Sequence, residues 1–177
     1  SETYFCLQRS LSNVSSNLPL IVLENYDSGR PPQGDYQTAS MAVIEPTDGR
    51  TRLMSAFTAS SQVGIKTRGS STSGRSKASL SLEVQDEFGQ DRNLSLLGMP
   101  NESDWVLWGP YNFDLTLMHN PFIFELSRQI GRYAPRTRFV ELYLNTGGGA
   151  LSSSDYYGVY ALMEKISRDA DRVDVER

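Results

Sequence analysis

The run Gly69-Ser70-Ser71-Thr72-Ser73-Gly74-Arg75-Ser76 gathers glycines and small hydroxylated residues between two cations, Arg68 and Lys77. Small residues let backbone N–H groups approach a ligand closely, and hydroxyls and cations around them favour an anion. The chemistry this composition suits is the binding of a polyphosphate. The run is one residue away from a P-loop, with Arg75 where that motif requires lysine. A P-loop opens a helix whose N-terminus faces the phosphates, whereas here an alternating, strand-like segment follows. The reading is therefore a Ser/Gly loop between two strands. It either drapes over a polyphosphate or forms a solvated hairpin tip.

Two further charged groups stand out. Lysine is a compact phosphate ligand, and a helix carboxylate can hold it in place. Lys77 with Glu125 is a candidate pair of that kind, the alternative being two unrelated surface charges. Glu164-Lys165 directly follows an apolar segment and reads as a strand emerging into solvent. Cys6 and His119 are the one cysteine and the one histidine, so neither an internal disulfide nor a zinc cage can be built from them. A Ser-His-Asp arrangement has no support. The aromatic cluster Trp105, Trp108, Tyr111 and Phe113 could stack on a sugar or a base, but it suits a core equally well.

These residues must be positioned by a chain of 177 residues, 38% hydrophobic and 21% charged, with a net charge of -4. Such a chain can bury a core. Its acidic balance argues against a nucleic-acid partner. No apolar run reaches the roughly 18 residues of a membrane span.

Residues 1–17 are polar and read as a lead-in or linker. Leu18-Pro19-Leu20-Ile21-Val22-Leu23 reads as a buried strand. Asp48-Gly49 between apolar runs predicts a hairpin turn. Residues 62–67 and 80–84 alternate, the latter placing Leu80, Leu82 and Val84 on one face. Asn120-Pro121 predicts a helix start, Phe122, Leu126 and Ile130 its buried face, and Gly131 a left-handed stop. Residues 139–145, with Val140, Leu142 and Leu144 inward, and 156–164 predict two more strands around a mobile Gly/Ser loop. The order of elements predicts an α+β domain, an antiparallel β-sheet covered on one face by one main helix.

Several of these runs, in order, resemble the CotH kinase family, named for a spore-coat protein. The motifs are Lys66-Thr67-Arg68-Gly69-Ser70-Ser71 with Lys77-Ala78-Ser79-Leu80-Ser81-Leu82-Glu83, then Leu96-Leu97-Gly98-Met99-Pro100 and Asp104-Trp105-Val106-Leu107. Met118-His119-Asn120, Glu125-Leu126, Ala134-Pro135 and residues 139–145 follow. Tyr157-Gly158-Val159-Tyr160, Glu164-Lys165-Ile166 and Arg172-Val173 complete the series. The resemblance covers about residues 60–175, and residues 18–25 resemble the strand that precedes the motifs in that family.

The resemblance implies the N-lobe of an atypical protein-kinase-like fold that binds ATP with Mg²⁺ and phosphorylates serines of a protein substrate, in a secreted, cell-surface or spore-surface protein. It assigns Arg68, Ser70, Ser71 and Lys77 to the phosphates, Glu125 to the regulatory helix, and Glu164 and Lys165 to a hinge touching adenine. Ala78, the Gly/Ser insertion after Asn145 and Pro121 depart from the family pattern. The family's Trp-Asp-x-Asp metal-binding motif does not occur in these residues. The expectation is that residues 18–177 form an N-terminal lobe and hinge, part of a larger polypeptide whose remainder carries the catalytic and metal-binding groups. The piece alone would then transfer no phosphate. The alternatives are a non-catalytic surface or adhesion module with the same fold, and a carbohydrate-binding domain using Trp105 and Trp108.

Overall fold

The computed structural model describes residues 5–110, 114–167 and 172. Among them, seven strands close into a barrel. In chain order the strands are β1 (Ser15–Ser16), β2 (Leu20–Glu24), β3 (Gln37–Ile44), β4 (Thr51–Arg52), β5 (Ala59–Arg68), β6 (Ser79–Gln85), β7 (Asp104–Trp108), β8 (Thr137–Asn145) and β9 (Tyr156–Glu164), with the helix α1 (His119–Gln129) between β7 and β8. Around the barrel the order is β2-β3-β5-β6-β7-β9-β8. All neighbours are antiparallel except β2 and β8, which run parallel and close the circle through Leu20↔Glu141 to Glu24↔Asn145.

The alternation of side chains explains the core. Ile21 and Leu23, Met41 and Val43, Val63 and Ile65, Leu80, Leu82 and Val84, Trp105 and Leu107, Val140, Leu142 and Leu144, and Tyr160 and Leu162 all point into one cluster inside the barrel. Strand β2 is covered on both faces, since Leu20 and Val22 are buried as well as Ile21 and Leu23, and β3 is covered in the same way from Met41 to Ile44. Its outer face lies under a second cluster with Leu11, Ile44, Leu53, Tyr143 and Leu151, flanked by Phe5, Leu7, Val14 and Phe57. A strand buried on both faces reads as a continuous apolar run, which accounts for residues 18–23. Residues 5–17 thus pack on the barrel wall, and β1 pairs with β4.

The closed barrel, with one short α-helix among the described residues, overturns the expected α+β architecture and with it the expected kinase N-lobe of a sheet under one main helix. A barrel fills its interior with its own side chains, so its main core needs no helix to cover it, and the apolar outer face of β2 is covered by residues of the N-terminal segment instead. The apolar stripe on α1 is consequently outside: Phe122 is 63%, Leu126 43% and Ile130 71% exposed, and Pro121 is the one buried residue of the helix. Two anchors hold α1 instead of a packed face. At its start the Asp114 carboxylate accepts hydrogen bonds from the backbone N–H of His119 (3.0 Å) and Thr116 (3.2 Å) and from the Thr116 hydroxyl (2.7 Å). At its end the Arg128 guanidinium donates to the carbonyls of Ala134 and Pro135.

Local signals fared better. Gly131 adopts φ +80° after the helix, as the stop requires. Asp48 and Gly49 have φ 54° and 77° in a tight turn closed by Thr47 and Arg50, but the strands flanking it do not pair: β3 lies between β2 and β5. The helix begins at His119, with Pro121 inside its first turn rather than at its first position. The 146–155 connection is fastened, through the Asn145 amide to the Gly149 carbonyl (3.1 Å), the Leu151 N–H to the Cys6 carbonyl (2.8 Å) and the buried Leu151 side chain. No helix among the described residues is long and apolar enough to cross a membrane.

Candidate functional site

One end of the barrel gathers the C-terminal end of β5, the N-terminal ends of β6 and β9, and the loop of residues 25–36. The Ser/Gly loop joins β5 to β6 there, as the alternating flanks predict. Thr67, buried at the end of β5, ties the mouth to the adjacent loop: its N–H donates to the Pro32 carbonyl (2.7 Å) and its hydroxyl to the Pro31 carbonyl (2.7 Å). From the same loop the Arg30 guanidinium donates to the carbonyls of Ser73 (2.6 Å) and Arg75 (2.5 Å), and the Gln33 amide to the carbonyl of Gly69 (2.8 Å). Gly69 adopts φ +101°, and a Cβ there would collide with the Thr72 hydroxyl. Three carbonyls of the Ser/Gly loop are thus occupied. That removes acceptors that would repel an anion and leaves the hydroxyls of Ser70 and Ser71, which have no hydrogen-bond partner among the described residues.

Lys77 follows the loop. Its ammonium lies 5.0 Å from the centroid of the Tyr160 ring. A Cβ on Gly158 would sit 3.8 Å from Nζ, so the amine rests against the start of β9. Burial lowers its pKa, because removing an ammonium from water disfavours the charged form. No carboxylate pairs with it among the described residues. Behind this corner lies a cavity of about 250 Å³ lined by Arg30, Thr67, Ser76, Ala78 and Tyr157 among others. The Tyr160 hydroxyl donates to the Ala78 carbonyl (3.1 Å) and fixes the turn into β6.

The remaining sequence candidates are elsewhere. Glu125 is on the exposed side of α1, bonded to Arg128 and, at 3.1 Å, to the Gln129 amide. The Arg128 hydrogen bond, then that of Gln129, holds its carboxyl below the usual glutamate range. Lys77 and Glu125 therefore form no pair. Glu164 lies at the far end of β9 from Gly158, about 20 Å away at the usual rise of a strand. It is buried against Arg136, which donates from Nη1 (2.8 Å) and from its backbone N–H (2.6 Å). Lys165 pairs with Asp104 at 2.9 Å. Neither emerges freely into solvent. Trp105 is in the barrel core, its indole N–H donating to the Glu102 carbonyl (3.0 Å), so it cannot stack on a sugar. Tyr111, Phe113 and Val173 lie outside the described residues.

Sequence reasoning missed Arg30 and Gln33, because nothing in a Gly/Pro-rich run announces which distant loop it will fasten. As to metal, no group of three or more His, Cys, Asp or Glu side chains able to hold an ion occurs among the described residues. The residues of the mouth, cations and hydroxyls, fit phosphate oxygens and do not fit Mg²⁺.

A family model described as CotH kinase protein matches residues 65–177, more than half of the chain. The match begins inside β5, so β2 and β3 complete the barrel from outside it. No curated protein matches the chain.

Proposed function

The chain belongs to the CotH kinase protein family, and from that premise we propose that its barrel mouth binds the polyphosphate of a nucleoside triphosphate, ATP in the first instance. The observation that carries this reading is the environment of Lys77: a partly desolvated ammonium against Tyr160 and Gly158, with no carboxylate partner among the described residues, next in sequence to Ser76 and Ala78, which line the mouth cavity. Withdrawing an ammonium even partly from water without a counter-charge has a cost, and an anionic ligand lowers it. Arg68 and the hydroxyls of Ser70 and Ser71 add donors on the loop side. Glu164 and Lys165 serve the barrel's other end, and phosphate binding, not transfer, is the activity proposed for these residues alone. Transfer to serines of a protein substrate, at a cell or spore surface, belongs to the same proposal and needs Mg²⁺ ligands that the described residues do not group together.

A second reading, a non-catalytic surface module with a CotH-like domain, is favoured by one observation: Glu125 is turned to Arg128 and Gln129 rather than to Lys77. Calorimetric titration of the chain with ATP, with and without Mg²⁺, separates the two. Saturable binding that Lys77→Ala weakens by about 10-fold or more, the range of a charge-assisted hydrogen bond, supports the first. Binding indifferent to that substitution removes Lys77 from the site, and no binding at all favours the second.

A further inference from the structure

On the outer wall of the barrel, away from the mouth, β3, β5 and β6 present one row of neutral polar side chains. Register places Ser40 opposite Gln62 and Gln62 opposite Gln85. All three have the parity that faces away from the core, since Ala39, Met41, Val63 and Val84 point inward. The row forms the floor of an open cavity of about 570 Å³. Its two sides are aromatic. Tyr26, 59% exposed, stands on the β3 side with its hydroxyl against that of Ser40, and Phe88, 78% exposed, stands beyond β6 on the turn after Gln85. Three adjacent strands set these sides about 10 Å apart at the usual strand spacing.

The backbone carries an independent mark. Tyr26 and Asp27 are consecutive non-glycine residues in the left-handed region, φ 57° and 58°. A bulky side chain there is a true outlier, of the kind that collects at ligand sites. The turn places the Tyr26 ring at the side of the groove, and the Glu24 carboxylate accepts from the Tyr26 backbone N–H (2.9 Å).

We propose that this groove binds a neutral carbohydrate chain, with Tyr26 and Phe88 stacking on sugar faces and Ser40, Gln62 and Gln85 bonding to hydroxyls. Stacking on exposed rings and hydrogen bonds from amides and hydroxyls are the two interactions a neutral sugar offers. A phosphorylated ligand fits poorly, because Arg92 is offset by Asp86 and Glu87 in the same cavity. A peptide fits poorly too. The closed barrel has no free strand edge here to extend, and the floor offers no apolar socket for an anchor. The side chain of Gln62 has no hydrogen-bond partner among the described residues and is available. This site shares no lining residue with the mouth cavity and does not depend on nucleotide binding.

The test is titration of the whole chain, by calorimetry and by NMR, with cello-, chito-, xylo-, malto- and mannohexaose. At least one should bind with a Kd of about 1 mM or tighter. Tyr26→Ala, Phe88→Ala and Gln62→Ala should each weaken it about 3- to 10-fold, while Lys77→Ala leaves it unchanged. Phe88 is so exposed that its replacement keeps the fold, so a loss in that variant is a loss of contact. The proposal is overturned if none of the five binds, if binding ignores all three groove substitutions, or if a neutral unstructured peptide binds with the same sensitivity to them.

Discussion

The ammonium of Lys77 lies 5.0 Å from the centre of the Tyr160 ring, and that aromatic face, not a glutamate, is its neighbour in the fold. The Tyr160 ring is fully buried, its hydroxyl pushed up in pKa by desolvation. Because Lys77 has a lowered pKa in the fold, keeping it charged opposes folding at every pH below the folded value. The opposition fades as pH rises through the folded value and is gone above the ordinary lysine value of 10.5. Lys77→Met, which keeps the packing and removes the charge, should not lower the melting temperature at pH 7, and any gain should vanish above pH 10.5. A clear loss of stability at pH 7 would show the ammonium to be structural.

Gly109 is where the barrel mouth tolerates no side chain. A Cβ there would overlap the Tyr160 ring, and that ring has no room to retreat. Gly109→Ala should cost about 1–3 kcal/mol, the range of overpacked cores, read by urea denaturation. It should also displace Lys77 and weaken ATP binding beyond what the stability loss explains. A neutral outcome on both readouts contradicts the packing described.

Asp114 is the peg of α1. Burial pushes its pKa up, but hydrogen bonds from Thr116 and His119 outweigh this and hold it below the ordinary aspartate value of 3.8. Its contribution to stability is therefore present above pH 3.8 and lost as pH falls through the folded value. Asp114→Asn should lower the melting temperature at pH 7 and speed hydrogen exchange along residues 119–129. The gap between variant and parent should close at the most acidic pH the fold survives. A gap constant with pH would assign the effect to something other than the charge.

Glu164 is 1% exposed and bridges β9 to Arg136. Its partner is partly solvated, so the loss on removing the charge should fall below the 3–5 kcal/mol of a fully buried pair. About 2–3 kcal/mol is expected for Glu164→Gln. Denaturant midpoints measure this directly. Nucleotide affinity, corrected for the unfolded fraction, should stay unchanged, because the residue is at the opposite end of β9 from Lys77. A specific loss of affinity would return Glu164 to the ligand site.

What was legible in the sequence was local. Leu80, Leu82 and Val84 alternate because one side of β6 faces the core, and Val140, Leu142 and Leu144 do the same in β8. Gly131 and Asp48-Gly49 carry their backbone requirement in their own identity. What was not legible depends on register between distant strands. Nothing near Ile21 says that Leu142 will lie beside it in parallel, and without that pairing a barrel reads as an open sheet needing a helical cover. The stripe of Phe122, Leu126 and Ile130 was then given that task. The groove was hidden for the same reason, since Ser40, Gln62 and Gln85 meet only through strand pairing.

The parallel seam between β2 and β8 also sets a schedule. When β2 leaves the ribosome, its apolar run has β3 for one neighbour, but the strand that covers its other edge is made more than a hundred residues later. Until then a hydrophobic edge with unpaired N–H and C=O groups is open to other chains. The last strand, β9, must insert between β7 and β8 before the wall is continuous. The nascent chain is therefore most vulnerable to aggregation over the long middle of its synthesis, and least so once residue 164 has emerged.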